Sequence, residues 1–447
     1  MSVAAAVPVA PADDAQARHP WVACAFYAIA LSILFWLVYA TCNYLTSLRT
    51  DVACVRFSWE KYIPFVPAMI VPYMSIDLFF FGSYFLCTSK EELRAHARRV
   101  IFVILVAGVC FLLFPMRLEF ERKIPQGIFA AWFVFLHKID MPYNLAPSLH
   151  IALRSLIWVV YTRHTRRALR LVLQGWFVLI GVSTLLTYQH HALDVITGQF
   201  LAIFCYYLFP VRAIERPQFR GRVLNAKLVW IYSLLTTILL LAATALRPWG
   251  YILIWPAITT AVLAVGYAFS GERIFRKRQG VIPFTTRIIL GPYLLAAVLW
   301  RIRYTRRRPF WCSITSNVWA GRFLCSSEAK QLVASGVTAV LDLTAEYNEP
   351  GAFRALRYLN VPILDSTAPA PDQVAECVAF IDAQAQHGIV YVHCALGYTR
   401  TTAIVAAWMV KTKVAQTLEQ AIEKIQCLRP VVITPRALAG VREYLQQ

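Results

Sequence analysis

Residues 391–402, YVHCALGYTRTT, contain a cysteine and an arginine whose types and spacing suit phosphate chemistry. Cys394 would attack phosphorus as a thiolate, which a nearby cation and a helix dipole would favour. Arg400 follows after five intervening residues, and its planar guanidinium can bind two phosphate oxygens at once. Thr401 could donate a hydrogen bond to the thiolate, and the loop amides, with Gly397 among them, could bind the phosphate. The alternative is that Cys394 is a core residue and Arg400 a surface cap.

A route through a cysteinyl-phosphate also needs an acid for the departing oxygen. Asp365, in the stretch NVPILDSTAPAP, is the candidate, because it lies on a Pro-rich loop after a predicted strand. Cys394, Arg400 and Asp365 would then be the nucleophile, the phosphate binder and the acid of one site.

Two stretches far upstream, YNLAPSLHIALRS and STLLTYQHHALDVITG, could form a second phosphate site. His190 and Asp194 are four residues apart, so on a helix the carboxylate can orient the imidazole for attack on phosphorus. His150 could protonate the departing oxygen, and Arg154, one turn further along, could balance the phosphate charge. The alternative is that the histidines at 190 and 191 are interfacial residues satisfied by lipid headgroups and that Arg154 snorkels outward.

The elements around Cys394 are those of a soluble α/β domain, which we place at 309–447. VTAVLDLT and GIVYVHC have the composition of buried strands, whereas PDQVAECVAFIDAQAQ and TTAIVAAWMVKT have helical periodicity. The loop after Cys394 therefore lies between a strand and a helix N-terminus, where amides and the helix dipole bind anions.

The preceding part of the chain has the composition of a multi-pass membrane domain, at 1–300. The 447 residues are 59% hydrophobic and 14% aromatic, more than a soluble chain of this length carries. Separate apolar blocks are each long enough to cross a hydrocarbon core about 30 Å thick. We predict eight spans, near 21–43, 63–87, 99–115, 145–161, 169–188, 191–211, 228–246 and 248–270.

The formal net charge of +20 follows the predicted topology. Basic residues cluster after alternate predicted spans, at 90–99, 163–170, 212–227 and 273–278. By the positive-inside rule these loops are cytoplasmic, which puts both termini in the cytoplasm. The membrane is expected to be the inner membrane of the cell. Anionic membrane lipids are the expected partners, and nucleic acid is not, because no groove-reading motif accompanies the charge. A segment near 283–300 is interpreted as interfacial, followed by a basic linker at 301–308. A ninth span there would instead put the C-terminal domain outside.

The C-terminal motif resembles the protein tyrosine phosphatase superfamily, in which His-Cys is followed by five residues, Arg, and Ser or Thr. Here these are His393, Cys394, Arg400 and Thr401, and the small domain with an upstream Asp is similar to the dual-specificity branch. The resemblance implies Cys394 as nucleophile, Arg400 as phosphate binder and Asp365 as general acid and base. The loop interior, ALGYT, has no lysine, which favours a monophosphate ester on protein or lipid over a polyphosphoinositide.

The upstream pair of motifs resembles the type 2 phosphatidic acid phosphatase superfamily, and most closely its inositol phosphorylceramide synthase-like branch. Its second motif is present as Pro147, Ser148 and His150, and its third ends in His190 and Asp194. The resemblance implies His190 as nucleophile, Asp194 as its partner, His150 as leaving-group acid and Ser148 on the phosphate.

Two features of that superfamily are missing from this sequence. Its first motif, a Lys followed by Arg-Pro, is not present in that form, and Thr184 replaces the Arg that usually follows the Ser of the third motif. The phosphate charge would then be met by other cations, for which Arg117, Lys138 and Arg154 are available.

Together the two halves resemble bacterial fusions of a lipid-phosphatase membrane domain with a dual-specificity phosphatase domain. The first hypothesis is a bifunctional membrane phosphatase, with an outward His-based site on lipid phosphate and a cytoplasmic Cys-based site on phosphoprotein or phospholipid. The alternatives are a membrane-anchored signalling phosphatase whose membrane half only binds lipid, and a headgroup transferase. Neither mechanism needs a metal or cofactor, and the 11 cysteines show no paired CxxC ligand pattern.

Overall fold

The computed structural model describes residues 19–211, 224–305, 309–429, 431 and 433–447. Contacts divide the chain into two units, one ending at Pro210 and the other beginning at Val211. Most of the predicted basic cluster at 212–227 and the last three residues of the predicted basic linker lie outside the described residues.

The first unit is helical throughout its regular secondary structure in the described residues. Its buried core consists of aliphatic and aromatic side chains from the longer helices, with Val100, Ile104 and Leu156 fully buried. The helices are α1 (Trp21–Ser47), α2 (Ile70–Phe85), α3 (Lys90–Leu113), α4 (Ala130–Ile139), α5 (Leu149–His164), α6 (Arg167–Leu186) and α7 (Ala192–Leu208).

Six helices in the described part of the chain are long and apolar enough to cross a membrane. They are Trp21–Ser47, Pro67–Phe85, Lys90–Leu113, Arg167–Leu186, Ala226–Ala245 and Tyr251–Phe275. The segments predicted as spans at 145–161 and 191–211 form the helices α5 and α7, of 16 and 17 residues, which are shorter than these six. The prediction of several apolar helices is therefore confirmed, and the count of eight spans is not.

In the described residues, four α-helices precede the first strand of the second unit. They are α8 (Ala226–Ala245), α9 (Tyr251–Val265), α10 (Phe284–Ile289) and α11 (Gly291–Thr305). The segment predicted to be interfacial thus forms two helices with a break at Leu290. Two side chains of α9 hold this break: Trp255 donates its indole N–H to the Ile288 carbonyl at 2.8 Å, and Thr259 donates to the Ile289 carbonyl at 2.7 Å.

A five-stranded sheet with flanking helices completes the second unit, as the sequence predicts. The strand order is β1-β2-β5-β3-β4, and all neighbours are parallel except β1 and β2. The central strands are buried on both faces, which suits their β-branched composition. The elements are β1 (Trp311–Thr315), β2 (Val318–Arg322), α12 (Ser326–Ala334), β3 (Val337–Thr344), α13 (Gly351–Arg354), β4 (Arg357–Ile363), α14 (Pro371–Ala385), β5 (Ile389–Cys394), α15 (Thr399–Lys411), α16 (Leu418–Leu428) and α17 (Ala439–Gln446).

The segment between α9 and α10 is fixed to the sheet by a buried ion pair. The Lys277 ammonium donates to the Asp342 carboxylate and to both the carbonyl and the hydroxyl of Thr344. Burial alone would raise the pKa of Asp342, but Lys277 outweighs it, so that the pKa falls to about 2. The backbone N–H of Glu349 also donates a hydrogen bond to the Gly280 carbonyl at 2.7 Å.

Replacing Lys277 by Met should destabilise the second unit by about 3–5 kcal/mol, because it leaves the Asp342 charge buried without its partner. The stabilisation from this pair should persist above the pKa of an unfolded aspartate, near 3.9, and be lost as the pH falls toward 2. Unfolding of the full chain in detergent, followed by near-UV circular dichroism, measures both effects. Lys330→Met, at an exposed position of α12, is the control, and equal stability of the two variants would contradict the prediction.

Candidate functional site

Cys394 is the last residue of β5, the strand that lies between β2 and β3. The chain then turns through 395–398 into α15, so that the Cys lies at the carboxyl edge of the sheet beside a helix N-terminus. Gly397 has φ +71°, and a Cβ there would lie 2.4 Å from the Gly321 carbonyl oxygen. Glycine is therefore required for this loop to pass so close to the end of β2.

Arg400 is buried, and its guanidinium is held by four contacts. It donates to both oxygens of Glu346 at 2.6 and 3.1 Å and to the Ile363 carbonyl at 2.9 Å, and it lies 3.2 Å from Asp365 Oδ1. Burial disfavours the charged form, but Glu346 and then Asp365 outweigh it and raise the pKa of Arg400 well above its ordinary value. The fork is thus charged and fixed in direction.

Asp365 lies two residues after β4, and its side chain is 56% exposed. Its backbone carbonyl accepts a hydrogen bond from the Tyr267 hydroxyl at 3.1 Å. The next residue, Ser366, has a left-handed φ of +59°, and its carbonyl accepts from the Asn225 side chain at 3.0 Å. The helical part of the unit thus holds the loop that carries the predicted acid.

The three predicted catalytic residues of this domain, Cys394, Arg400 and Asp365, line one cavity of about 1060 Å³. Thr401 is buried, and its hydroxyl lies 3.5 Å from the Gly321 carbonyl, so that its donation to the thiolate stays a prediction. Sequence reasoning missed Glu346. The signal available was an acidic residue two positions after a buried strand, where an unpaired carboxylate would be costly.

A buried charge network lies behind the loop. His393 Nε2 is 3.2 Å from Glu349 Oε1 and 3.9 Å from Asp342 Oδ1. Burial opposes protonation, but Glu349 and Asp342 outweigh it and raise the pKa of His393. These three side chains lie close enough to share a metal ion, yet Lys277 already supplies a cation to Asp342. The residues are therefore better suited to an internal ion-pair network.

The second predicted site, in the first unit, is brought together by α5 and the start of α7. The Ser148 hydroxyl lies 3.1 Å from His190 Nε2, and His190 Nδ1 lies 3.4 Å from Asp194 Oδ2. The Asp194 carboxylate also accepts a hydrogen bond from the backbone N–H of His191 at 2.7 Å. The backbone carbonyl of Asp194 accepts one from the backbone N–H of Ser148 at 3.0 Å. The carboxylate can therefore fix the imidazole with Nδ1 protonated and Nε2 directed at Ser148.

His150 and His190 line the same cavity, of about 430 Å³. The ring of His150 stacks on Tyr73 with the centroids 4.4 Å apart. Arg154 is directed elsewhere, because it donates to the Phe177 carbonyl at 3.1 Å and to the Gln199 side chain at 2.9 Å.

The cation that the structure brings to His190 is one that sequence reasoning missed. Arg122 shares a small cleft with His190 and donates to the Asp140 carbonyl at 2.6 Å. Arg117 and Lys138, two of the cations named from the sequence, are exposed. The signal for Arg122 was weak, since it is one of several basic residues between two apolar segments.

Comparisons with known proteins concern mainly the C-terminal part of the chain. Residues 318–445 match the family described as dual specificity phosphatase, catalytic domain. Dual specificity protein phosphatase 12 of Rattus norvegicus is 38% identical over 102 residues, which are 22% of this chain and 29% of that protein. Phosphatidylglycerophosphate phosphatase PTPMT2 of Arabidopsis thaliana is 26% identical over 187 residues, 40% of this chain and 80% of that protein.

Among solved structures, a crystal structure of PTPMT1 in complex with PI(5)P is 23% identical, with a TM-score of 0.29, and the match covers 31% of this chain and 96% of that one. The chain spans about a third of the length of the first curated relatives, which are the rat, mouse and human forms of dual specificity protein phosphatase 12. Its C-terminal part is a dual-specificity phosphatase domain. Such a domain indicates a cysteine-based phosphoester hydrolase.

Replacing Glu346 by Gln should lower kcat/KM for p-nitrophenyl phosphate about 10- to 100-fold, as expected from loss of a charge-assisted hydrogen bond worth about 1.5–3 kcal/mol. Most of the change should appear in KM, because a mispositioned Arg400 weakens phosphate binding before and during the reaction. Steady-state kinetics of the purified chain provide the test. Glu419→Gln, on an exposed face of α16, should leave both constants unchanged; unchanged KM in Glu346→Gln would contradict the assignment of a positioning role.

Proposed function

We propose that the chain is a membrane-bound, cysteine-dependent hydrolase of phosphomonoesters carried on lipid or protein. The observation that carries this proposal is the convergence of Cys394, Arg400 and Asp365 on one cavity at the carboxyl edge of the sheet. The family match over 318–445 supports the reaction class. A relative named as a phosphatidylglycerophosphate phosphatase supports lipid as one of the two substrate classes.

In the proposed reaction the Cys394 thiolate attacks phosphorus, forming an S–P bond while the bond to the ester oxygen breaks. Asp365 as the acid gives its proton to the departing oxygen, and Arg400 holds two of the remaining phosphoryl oxygens with its Nε–H and with the Nη2–H that faces Asp365 in the free protein. Water then attacks the cysteinyl-phosphate, with Asp365 accepting its proton. The S–P bond breaks, and inorganic phosphate and the thiolate are released.

Cys394→Ser should reduce hydrolysis of p-nitrophenyl phosphate by at least about a thousandfold, because the nucleophile is lost.

Asp365→Asn should lower the rate of hydrolysis of glycerol phosphate about 100-fold or more, because its alkoxide leaving group needs a proton. The same variant should lower the rate on p-nitrophenyl phosphate much less, because that leaving group needs none. Phosphate release by the full chain in detergent measures both. Cys427→Ser, at an exposed position, is the control for the thiol. Equal effects of Asp365→Asn on the two esters would argue against an acid role.

We propose an inner-membrane location, with a membrane domain at 1–300, a basic segment at 301–308 whose first five residues are the end of α11, and a cytoplasmic phosphatase domain at 309–447. The six long apolar helices support membrane insertion, and the basic residues at 90–99 and 273–278, which flank the third and the sixth of these helices, support the orientation. A reporter fused after Gln447 would test the side on which the chain ends.

A second candidate function is a His-based lipid phosphate site in the first unit, of the type 2 phosphatidic acid phosphatase kind. It is favoured by the hydrogen bonds that link Ser148 to His190 and His190 to Asp194, and by the cavity that His190 shares with His150. His190 would attack phosphorus and His150 would protonate the departing oxygen. A lipid alcohol in place of water would make the same site a headgroup transferase. A membrane half that only binds lipid is the non-catalytic alternative.

His190→Ala tests this candidate in a Cys394→Ser background, where the cysteine site is silent. Phosphate release from dioleoyl phosphatidic acid in mixed micelles should fall by at least about a thousandfold, as for loss of a nucleophile. His164→Ala, at the far end of the helix that carries His150, is the matched control and should retain activity. If the Cys394→Ser parent releases no phosphate and also consumes no lipid acceptor, the first unit has no phosphatase or transferase function.

A further inference from the structure

The cavity that contains Cys394 extends well beyond the catalytic loop. The end at the Cys394 loop is polar and includes Cys394, Arg400 and Asp365, and Arg301 and Arg436 are also among the lining residues. Away from that end, the walls are formed by α8, α9 and α11, which contribute mainly apolar side chains. At about 1060 Å³ it is at or above the upper end of the range for small-molecule sites, about 300–1,000 Å³. A monoester as small as a phosphorylated amino acid would leave most of it empty.

The apolar walls follow the helices along their length. Leu228, Leu235 and Leu239 lie on one face of α8, Leu263 on α9, and Ala296 and Trp300 on α11. At 1.5 Å per residue, the eleven steps from Leu228 to Leu239 extend about 17 Å. That length is close to one leaflet of a hydrocarbon core about 30 Å thick.

The outer faces of these helices are suited to lipid. Trp230 and Leu234 of α8 are 76% and 62% exposed, and Leu295 and Leu299 of α11 are similarly exposed. Such continuous apolar exposure needs hydrocarbon around it. The groove between these helices therefore offers a lipid chain a path from the surrounding hydrocarbon to the catalytic loop.

Charge distribution indicates which end of a lipid would face the loop. Arg301, near the end of α11, lies over the rings of Phe323 and Tyr347, and its Nε is buried with no hydrogen-bond partner among the residues that the structure describes. With Arg400 and Arg436 it gives the cavity lining three arginines against the two carboxylates of Glu346 and Asp365, so the polar part of the lining carries a net positive formal charge, whereas the helices contribute mainly apolar side chains. A molecule with a phosphate monoester at one end and hydrocarbon at the other is complementary to both ends.

We propose that the substrate of the cysteine site is a glycerolipid phosphomonoester, bound with an acyl chain between α8, α9 and α11 and its phosphate on the Cys394 loop. This inference rests on the proposed function of Cys394 and specifies its substrate class. A phosphopeptide, which has no long hydrocarbon chain, would leave the helical part of the groove unused.

The test fills the groove with tryptophan in a His190→Ala background, so that the first unit contributes no phosphate release. Leu235→Trp and Ala296→Trp place the indole on groove-lining positions of two different helices. Leu234→Trp and Leu295→Trp place it on the neighbouring positions, outside the lining residues. Three substrates are compared in detergent: dioleoyl phosphatidic acid, dibutyryl phosphatidic acid and p-nitrophenyl phosphate.

Both groove variants should lower kcat/KM for dioleoyl phosphatidic acid at least tenfold while changing that for p-nitrophenyl phosphate less than twofold. Dibutyryl phosphatidic acid, with the same headgroup and short chains, should be a poor substrate of the parent and little affected by the variants. The control variants should match the parent on all three substrates.

The inference is overturned if the groove variants hydrolyse the dioleoyl lipid normally, if they lose activity equally on all substrates, or if the parent prefers a tyrosine phosphopeptide to the lipid. A parent inactive on p-nitrophenyl phosphate would instead mark failure of the proposed function. In that event, binding of dioleoyl phosphatidic acid to Cys394→Ser protein, measured as a thermal shift, still decides the matter. Leu235→Trp must abolish the shift and Leu234→Trp must retain it.

Discussion

The buried guanidinium of Arg400 is the constraint on which the phosphatase domain depends. A cation in the interior is tolerated only where carboxylates and carbonyls surround it, and here Glu346, Asp365 and the Ile363 carbonyl do so. These partners come from the ends of β3 and β4, so the order of the strands determines where the charge can lie. The sheet brings together acidic groups that would repel one another without the arginine. The position of the guanidinium is thus determined by the fold itself.

A second set of polar contacts joins the apolar helices of this unit to the sheet. Lys277 bonds to the end of β3, Tyr347 donates its hydroxyl to the Ala297 carbonyl of α11, and Tyr267 bonds to the backbone of the Asp365 loop. Each contact joins the part of the unit before β1 to a residue at or just beyond the carboxyl end of β3 or β4. The helices therefore form walls of the cavity and are more than a tether for the domain.

The sequence was most informative where chemistry and periodicity coincide. The strand before Cys394 and the helix after it follow from β-branched and helical patterns, and the pairing of the Ser148 and His190 stretches follows from their polar residues in apolar surroundings. Glu346 and Arg122 were missed, because their importance arises from contacts between segments distant in the chain. Arg154 lies one helical turn after His150, as the spacing indicates. Its hydrogen-bond partners are on α6 and α7, and the periodicity of α5 does not predict how those helices pack against it. Span number likewise depends on helix length, and because α5 and α7 have only 16 and 17 residues, the count of eight spans stays a prediction.

The hydrogen bonds from Tyr267 and Asn225 to the Asp365 loop have a consequence for how such a chain can evolve. A phosphatase domain exchanged for a water-soluble relative at residue 309 would arrive with an acid loop shaped for other neighbours. The hydroxyl of Tyr267 and the amide of Asn225 would then keep their hydrogen bonds only if the new loop placed its backbone carbonyls at the same positions. Recombination at this junction is therefore costly, and the helices from α8 onward and the phosphatase domain are expected to be inherited as a single module.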